Sequence, residues 1–598
     1  MEDTAEIPLT SEELNSELIG LNKDGLSASK KQLIIGIAAG IALVLISIIV
    51  IVVLVNSGGS GGSENNGGSD GKSYIGEINC IYDITYLDSE ERILGNDFQK
   101  TSNFDIYIDG KKLEKYTKTY KFSEGFSHNI SFKLTEELNM DNMFKGVDSV
   151  VEVHMKSNKQ ARITSMISAF QGCANLVKFD IEGFNGDKIK SMHKLFYQTL
   201  LLSYDFKNFD TPNLEDISYM FSETNIGEFA VKGLNFKNVQ NMSHLFEYSV
   251  DVSKFNFTNF ITNNVKDMSF MFHSCSGIEK LDLSSFKTSE VTSTASMFQD
   301  CISLNELNLN NFDTSKVVDM SSMFENCYYL TNIDVSRFVT SNVKNMSSVF
   351  KYCDSLKSLN LGSFDTKKVE TASKLFKGCA ALTELSLTSF NFLNNKDMTE
   401  MFCDCREIKK ITFGQNINTQ KVENMSALFA SDDLLTSVDL TNLNTQSVLD
   451  MSEMFADCSQ LQQIDLRNFQ TEKVQNMSNM FCGCQGLTSL DIRPLETKNV
   501  KDMTKMFEYL KVTSLDVSAL HTQNVLYMLD MFSEMNNVKE LNVRGFTTTN
   551  VKDMAGMFFF CEELTSIDVS SFDTRNVEDF SYMFYGCISL KQLNVAQF

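Results

Sequence analysis

The chain of 598 residues contains no Trp and only 3 Pro. Proline ordinarily makes up about 5% of protein residues, so this scarcity is unusual. A structure built from one repeated unit explains the scarcity of proline, because every repeat uses the same turn conformation. The length also excludes a single compact hydrophobic core. The chain must therefore form several domains, or an array whose core grows along one axis.

Basic residues are also scarce. The 53 Lys and Arg stand against 77 Asp and Glu, which gives a formal net charge of −24. Because phosphate binding needs clustered Lys and Arg, and the sequence has no such cluster, we expect no nucleic-acid partner. The negative charge favours the solubility of a long exposed array, with attraction of a basic partner as the alternative.

Motifs for catalysis and cofactor binding are missing as well. The sequence has no nucleophile elbow, phosphate loop, dinucleotide fingerprint or EF-hand loop, and its 6 His are scattered. Two C-x-C pairs occur, Cys403 with Cys405 and Cys482 with Cys484. They lie three repeats apart, about 14 Å along a strand stack, which is too far to share a zinc ion. We therefore expect no enzyme activity, no cofactor and no metal.

One long apolar run is present at residues 33–55. At about 1.5 Å per residue it spans roughly 34 Å, enough for a bilayer core of about 30 Å and too long for a signal peptide. Lys23, Lys30 and Lys31 precede the run, and no Lys or Arg follows before Lys72. The positive-inside rule therefore predicts a type II anchor in the plasma membrane, with the N-terminus cytoplasmic and the repeats extracellular.

The composition around this run predicts five segments. Residues 1–31 form an acidic cytoplasmic tail, 32–55 the transmembrane helix and 56–73 a flexible Gly/Ser/Asn linker. Residues 74–162 show the period-two alternation of strands and predict a small β-rich cap over the first repeat, since solenoids need capped ends. Residues 163–598 are repeats.

The repeat has a period of 26 residues and occurs about 17 times. Three of its steps have 25 residues and one has 27. A period in this range, held for so long, predicts a solenoid. Each repeat is marked by one anchor Phe, and the anchors are Phe170, Phe196, Phe221, Phe246, Phe272, Phe298, Phe324, Phe350, Phe376, Phe402, Phe429, Phe455, Phe481, Phe507, Phe532, Phe558 and Phe584.

The residue pattern of each repeat predicts one short strand and one short helix. The pattern L-x-x-L-x-L alternates with period two, as a half-buried strand does. Asp319 and Ser321 are candidate caps for a helix that carries Met320, Met323 and Phe324 on one face. The sequence thus predicts an α/β repeat solenoid, a leucine-rich-repeat-like stack of short parallel strands and short helices.

Phe and Cys columns are the predicted structural core. In most repeats a Cys stands three residues after the anchor Phe, but Thr199, Asp432 and Leu510 replace it in others. Such replacements favour free, packed thiols, and oxidative pairing of stacked neighbours is the alternative. The predicted core ladder contains Phe272, Phe298, Phe324, Phe350, Phe376, Phe402, Cys275, Cys301, Cys327, Cys353 and Cys379.

A column of Asp and Asn runs through the predicted strands. Its position predicts an outward, solvated face, and a calcium or ligand-recognition ladder is the alternative. The possible recognition residues are Asp282, Asn308, Asp334, Asn360, Asp465 and Asp491.

The repeat resembles that of the BspA-like leucine-rich-repeat surface proteins. Their motif, L-x-x-L-D-L-S-x-F-D-T-S-x-V-x-x-M-S-x-M-F-x-x-C, is matched by LDLSSF at 281–286 and MSSMFENC at 320–327. The resemblance covers about residues 163–598. It implies cell-surface display and adhesion to host or matrix proteins, and it supplies no catalytic residues. The N-terminal anchor departs from the family pattern.

These features together predict a membrane-anchored surface protein. Its extracellular solenoid is expected to serve as a binding or adhesion scaffold for an extracellular protein, host or matrix ligand. The alternative is a structural coat protein that self-associates through the uncapped C-terminal end at Phe598, because an unpaired strand edge invites pairing.

Overall fold

The computed structural model describes residues 72–224, 226, 234–249, 257, 260–596 and 598. Residues from Ser73 to Phe598 form one compact unit. The predicted cytoplasmic tail and transmembrane helix, and nearly all of the predicted linker, lie outside the described residues. Among the residues that are described, no helix is both long and apolar enough to cross a bilayer.

This unit is a β-solenoid of about 16 turns, which confirms the predicted solenoid. The prediction of a short helix in each repeat is wrong, since the described ranges contain strands and turns but no helix. The strands are β1 Gly76–Asp83, β2 Glu90–Arg92, β3 Phe104–Ile108, β4 Lys111–Lys112, β5 Thr119–Lys121, β6 Ser127–Leu134, β7 Leu138–Asn139, β8 Val150–Lys156, β9 Ile163–Ser165, β10 Lys178–Glu182, β11 Ser203–Asp205, β12 Lys280–Asp282, β13 Glu306–Asn308, β14 Glu384–Leu387, β15 Lys410–Phe413, β16 Glu540–Leu541 and β17 Ser566–Ile567.

A seven-stranded sheet joins the segment before residue 163 to the solenoid. Its order is β11-β10-β8-β1-β6-β3-β4. β8, β10 and β11 are parallel, whereas β1 pairs antiparallel with both β8 and β6. The first turn of the solenoid is therefore covered by paired main chain and leaves no open strand edge there. Stacking also begins before residue 163, because the rings of Phe144 and Phe170 are parallel at 5.2 Å.

The segment expected to be helical is a ladder of turns, described here for the turn of Phe324 (each turn is named by its anchor Phe). The N–H of Ser322 donates to the carbonyl of Ser347 at 2.9 Å, and the N–H of Asn326 donates to that of Lys351 at 2.8 Å. Ser322 and Asn326 have φ angles of 54° and 62°. Left-handed residues end a right-handed helix. Hydrogen bonds therefore run between turns, and this geometry recurs along the array.

Asp319 and Ser321, the predicted helix caps, form a local turn. The Asp319 carboxylate accepts the Ser321 N–H at 2.9 Å and the Ser321 hydroxyl at 2.7 Å. Asp and Asn side chains favour such bonds two residues along the chain. The same bonds that cap a helix thus fix the entry to a tight turn.

The core consists of continuous side-chain columns. From Phe272 to Phe402 the anchor rings stack with centroids 5.6–5.9 Å apart, and each is almost fully buried. Burying such a side chain contributes about 1.5–3 kcal/mol. Beside them lie the Cys of the predicted core, all buried and free. The Cys327 thiol, for example, donates to the Phe298 carbonyl at 3.2 Å.

Candidate recognition surface

The Asp and Asn column on the strand face uses its oxygen atoms locally. Asp334 accepts the Ser336 N–H at 3.0 Å and its hydroxyl at 2.6 Å, bonds that lower the pKa of the Asp334 carboxyl. Each of the other five column members accepts the N–H two residues later: Asp282, Asn308, Asn360, Asp465 and Asp491. The column therefore shapes the turn that follows each strand position.

Metal ligation finds no support in the described ranges, where no three His, Cys, Asp or Glu side chains are arranged to hold an ion. Asp465 and Asp491 instead pair with exposed guanidinium groups, those of Arg467 at 2.6 Å and Arg493 at 2.7 Å.

A different surface, on the turn side, breaks the repeated pattern. The Tyr219 ring stacks on the His244 ring with centroids 4.1 Å apart, and His244 stacks on Phe270 at 4.5 Å. The three residues occupy one repeat position, two residues before the anchor Phe, in successive turns. The Tyr197 ring lies beside that of Tyr219, with centroids 6.3 Å apart. The Tyr248 ring packs against that of His273 at 5.2 Å, and Tyr248 is 50% exposed. We call Tyr197, Tyr219, His244, Tyr248 and Phe270 the aromatic patch.

The backbone at this repeat position aims each side chain in the same way. Tyr219, His244 and Phe270 all have a φ of 57°, in the left-handed region. The next two turns carry Ser296 and Ser322 in the same conformation, with φ of 55° and 54°. Serine therefore fits the fold at this position, so the aromatic side chains are not required by the turn itself.

A chain of charged groups supports the aromatic patch. Glu247 lies between two imidazoles, with 2.9 Å to His244 and 2.9 Å to His273, and the other nitrogen of His273 lies 3.3 Å from Asp300. Burial opposes ionisation, but the bonds to His244 and His273 lower the pKa of Glu247 to about 2. Burial likewise opposes a charge on His273, but Asp300 and Glu247 raise its pKa to about 9.

A cation and a hydroxyl fix the other end of the patch. The Lys194 ammonium lies 4.8 Å from the Tyr219 ring centroid and 5.4 Å from that of Tyr197. The Tyr197 hydroxyl donates to Glu223 at 2.6 Å. These contacts hold the side chains at this end of the patch in place.

Sequence reasoning missed this patch because its three stacked rings, Tyr219, His244 and Phe270, lie in successive repeats, 25 and 26 residues apart. Interleaved Ser, Glu and Phe hide them in the linear sequence. Superposing the repeats on their anchor Phe gives the signal, since the position two residues earlier then reads Lys194, Tyr219, His244, Phe270 and Ser296.

The family described as "Mycoplasma protein of unknown function, DUF285" matches this sequence at residues 114–226, 138–256, 224–328, 303–414, 397–518 and 508–597. These matches cover more than half of the chain. The protein belongs to this family. No curated protein matches the DUF285 chain described here.

Two solved structures are similar to this DUF285 protein. A leucine-rich repeat protein from Eubacterium ventriosum is 16% identical with a TM-score of 0.32, and the similarity covers 61% of this chain and 86% of that chain. The TLR13–ssRNA13 complex is 12% identical with a TM-score of 0.18, and the similarity covers 74% of this chain and 82% of that chain. At these TM-scores neither similarity carries a functional argument.

Proposed function

We propose that this protein is a non-catalytic binding scaffold whose solenoid contacts a protein ligand through the aromatic patch. The patch itself is the observation that supports this function. Protein interfaces are enriched in aromatic side chains and concentrate their binding energy in a few large residues near their centres. In the turns that follow the patch, Ser296 and Ser322 stand where Tyr219, His244 and Phe270 stand within it.

The proposed setting is the cell surface. The apolar run at 33–55 would anchor the chain as a type II protein, and the repeat motif supports membership of the BspA-like group with adhesion as its role. A membrane-impermeant amine-reactive biotin, applied to intact cells that produce the protein, tests this setting. Labelling of lysines in the repeats supports an extracellular solenoid, whereas labelling only after lysis contradicts it.

Binding is tested with the full chain in detergent, against cultured epithelial cells and an immobilised basement-membrane extract. The matched variant is Tyr219→Ser with His244→Ser and Phe270→Ser, because serine already occupies this left-handed position in neighbouring turns. Each hot-spot truncation typically costs more than 1 kcal/mol, so the triple variant should bind at least about 100-fold more weakly.

The control for this experiment is Asn479→Ser, at the same position of a distant turn, where φ is 56°. It should bind as the unchanged chain does. Failure of the unchanged chain to bind either probe contradicts adhesion, and equal binding by the triple variant excludes the aromatic patch as the contact.

A further inference from the structure

Regular contacts between turns use side chains as well as main chain. Between the turns of Phe324 and Phe350, the buried Thr314 hydroxyl donates to the Val339 carbonyl at 3.0 Å and accepts the Val339 N–H at 2.7 Å. Val317 is fully buried beside them. The thiol of Cys353 donates across the same contact to the Phe324 carbonyl at 3.2 Å.

The contact between the turns of Phe402 and Phe429, which we call the seam, lacks these elements. Phe392 stands at the Thr position, so only a main-chain bond from its N–H to the Ile417 carbonyl remains, at 2.7 Å. Asn395 replaces the Val. It is fully buried, and neither atom of its side-chain amide has a hydrogen-bond partner. An unpaired buried amide costs roughly 1–3 kcal/mol.

The spacing is irregular at the seam as well. The step from Phe402 to Phe429 is the single 27-residue step of the array. Asn418, in the lengthened stretch, has a φ of 57°, whereas the equivalent residues Asp365 and Asn391 have no positive φ. Main-chain bonds such as Phe402 N–H to the Leu428 carbonyl, 3.0 Å, still close the seam.

Asp432 occupies the thiol column at the seam and is fully buried. One carboxyl oxygen accepts the Cys405 N–H at 3.0 Å, and the other has no partner. The thiols of Cys405 and Cys458, in the adjacent turns, each donate to a carbonyl, at 3.1 and 3.0 Å. A neutral carboxyl group has an O–H that replaces this donor, whereas a carboxylate has none.

The surroundings of Asp432 favour the neutral form. Burial raises the pKa of its carboxyl, the Cys405 N–H opposes the shift, and the nearby charges of Asp404 and Asp433 add to it. The titratable and charged groups of the packed turns that interact with Asp432 are Cys403, Asp404, Cys405, Asp433 and Cys458.

We propose that the solenoid opens at the seam, and that loss of the Asp432 proton promotes this opening. A buried unpaired carboxylate is strongly unfavourable, so ionisation is coupled to exposure of the side chain to water. In a solenoid each turn contacts only its neighbours. A weak contact therefore divides the array into two cooperative blocks, one ending with the turn of Phe402 and one beginning with that of Phe429.

Hydrogen–deuterium exchange of the full chain, followed by mass spectrometry, tests this device between about pH 6 and about pH 9. Peptides from 391–435 are compared with peptides from 313–357, in a regular part of the array. At the acidic end the seam amides should be at least about tenfold less protected than the amides of the reference region. The ratio of the two protection factors, reference over seam, should grow with pH. Comparing the two regions within one sample removes the intrinsic pH dependence of exchange.

Two substitutions that restore the regular side chain at a seam position provide the matched variants. Asp432→Cys restores the thiol column and should abolish the growth of the ratio with pH. Asn395→Val should raise protection of the seam already at the acidic end. The control Glu423→Gln removes an exposed carboxyl of the same turn and should change neither quantity. Equal protection of the two regions would overturn the proposal that the solenoid opens at the seam. Persistence of the pH effect in Asp432→Cys would overturn the role of Asp432 in that opening.

Discussion

At the scale of single residues, His273 shows how charge is placed in this fold. Both of its ring nitrogens face carboxylates, Glu247 at 2.9 Å and Asp300 at 3.3 Å. A neutral imidazole has one donor and one acceptor nitrogen, so it would leave a lone pair facing a carboxylate. The imidazolium satisfies both contacts, and it ties the turns of Phe246, Phe272 and Phe298 together.

The pH dependence of this tie follows from the direction of each shift. The pKa of His273 is raised from 6.5 to about 9, so its contribution is complete below pH 6.5 and is lost as pH rises through about 9. Glu247 is shifted down from 4.5 to about 2, so its contribution is lost as pH falls through that value. Both His273 and Glu247 therefore make their full ionic contribution between pH 4.5 and 6.5.

We predict that His273→Gln lowers the melting temperature most within that window. The difference in melting temperature between the variant and the unchanged chain should narrow progressively towards about pH 10. Differential scanning calorimetry across this range measures it, with His521→Gln as the control because His521 takes no part in the charged chain. A gap that is the same at every pH would show that His273 acts through packing alone.

At the scale of the element, the left-handed positions explain both the turns and the failure of the helix prediction. Met320, Met323 and Phe324 have the spacing of one helix face, and all three are indeed buried. A tight turn that is closed by bonds to its neighbours buries the same positions. Periodicity reports which side chains face inward, and it does not report where the N–H groups donate.

Gly378 shows what a left-handed position requires when a neighbour is large. Its φ is 71°, and a Cβ built there would lie 2.1 Å from a ring carbon of Tyr352 in the preceding turn. We predict that Gly378→Ala costs at least about 1–2 kcal/mol of unfolding free energy, from backbone strain alone. Gly545, without a positive φ and with its nearest atom at 3.9 Å, is the control. Gly545→Ala should be neutral or stabilising by up to about 1 kcal/mol in urea denaturation.

At the scale of the whole molecule, the 26-residue period was enough to predict a solenoid, because only stacked units bury a face that repeats so regularly. The aromatic patch, the proposed recognition surface, was not evident from the period alone. Tyr219, His244 and Phe270 become neighbours only when the register between turns is known to within one residue. The seam was only partly evident: Asp432 stands in the Cys column that the sequence already assigned to the core, whereas Asn395 is unremarkable in a polar sequence until its column proves to be buried.

The thiol column provides a test of the whole array at once. All 14 Cys are free, and only Cys403, Cys482 and Cys587 are partly exposed. Burial raises the pKa of Cys403 to about 11 and that of Cys482 to about 12, so even these should react slowly at neutral pH. We predict that a maleimide adds at most these 3 labels to the folded chain and 14 to the chain unfolded in guanidinium chloride without a reductant. Oxidative pairing along the column would instead leave the unfolded, unreduced chain short of labels by two for every pair, which intact-mass spectrometry resolves directly.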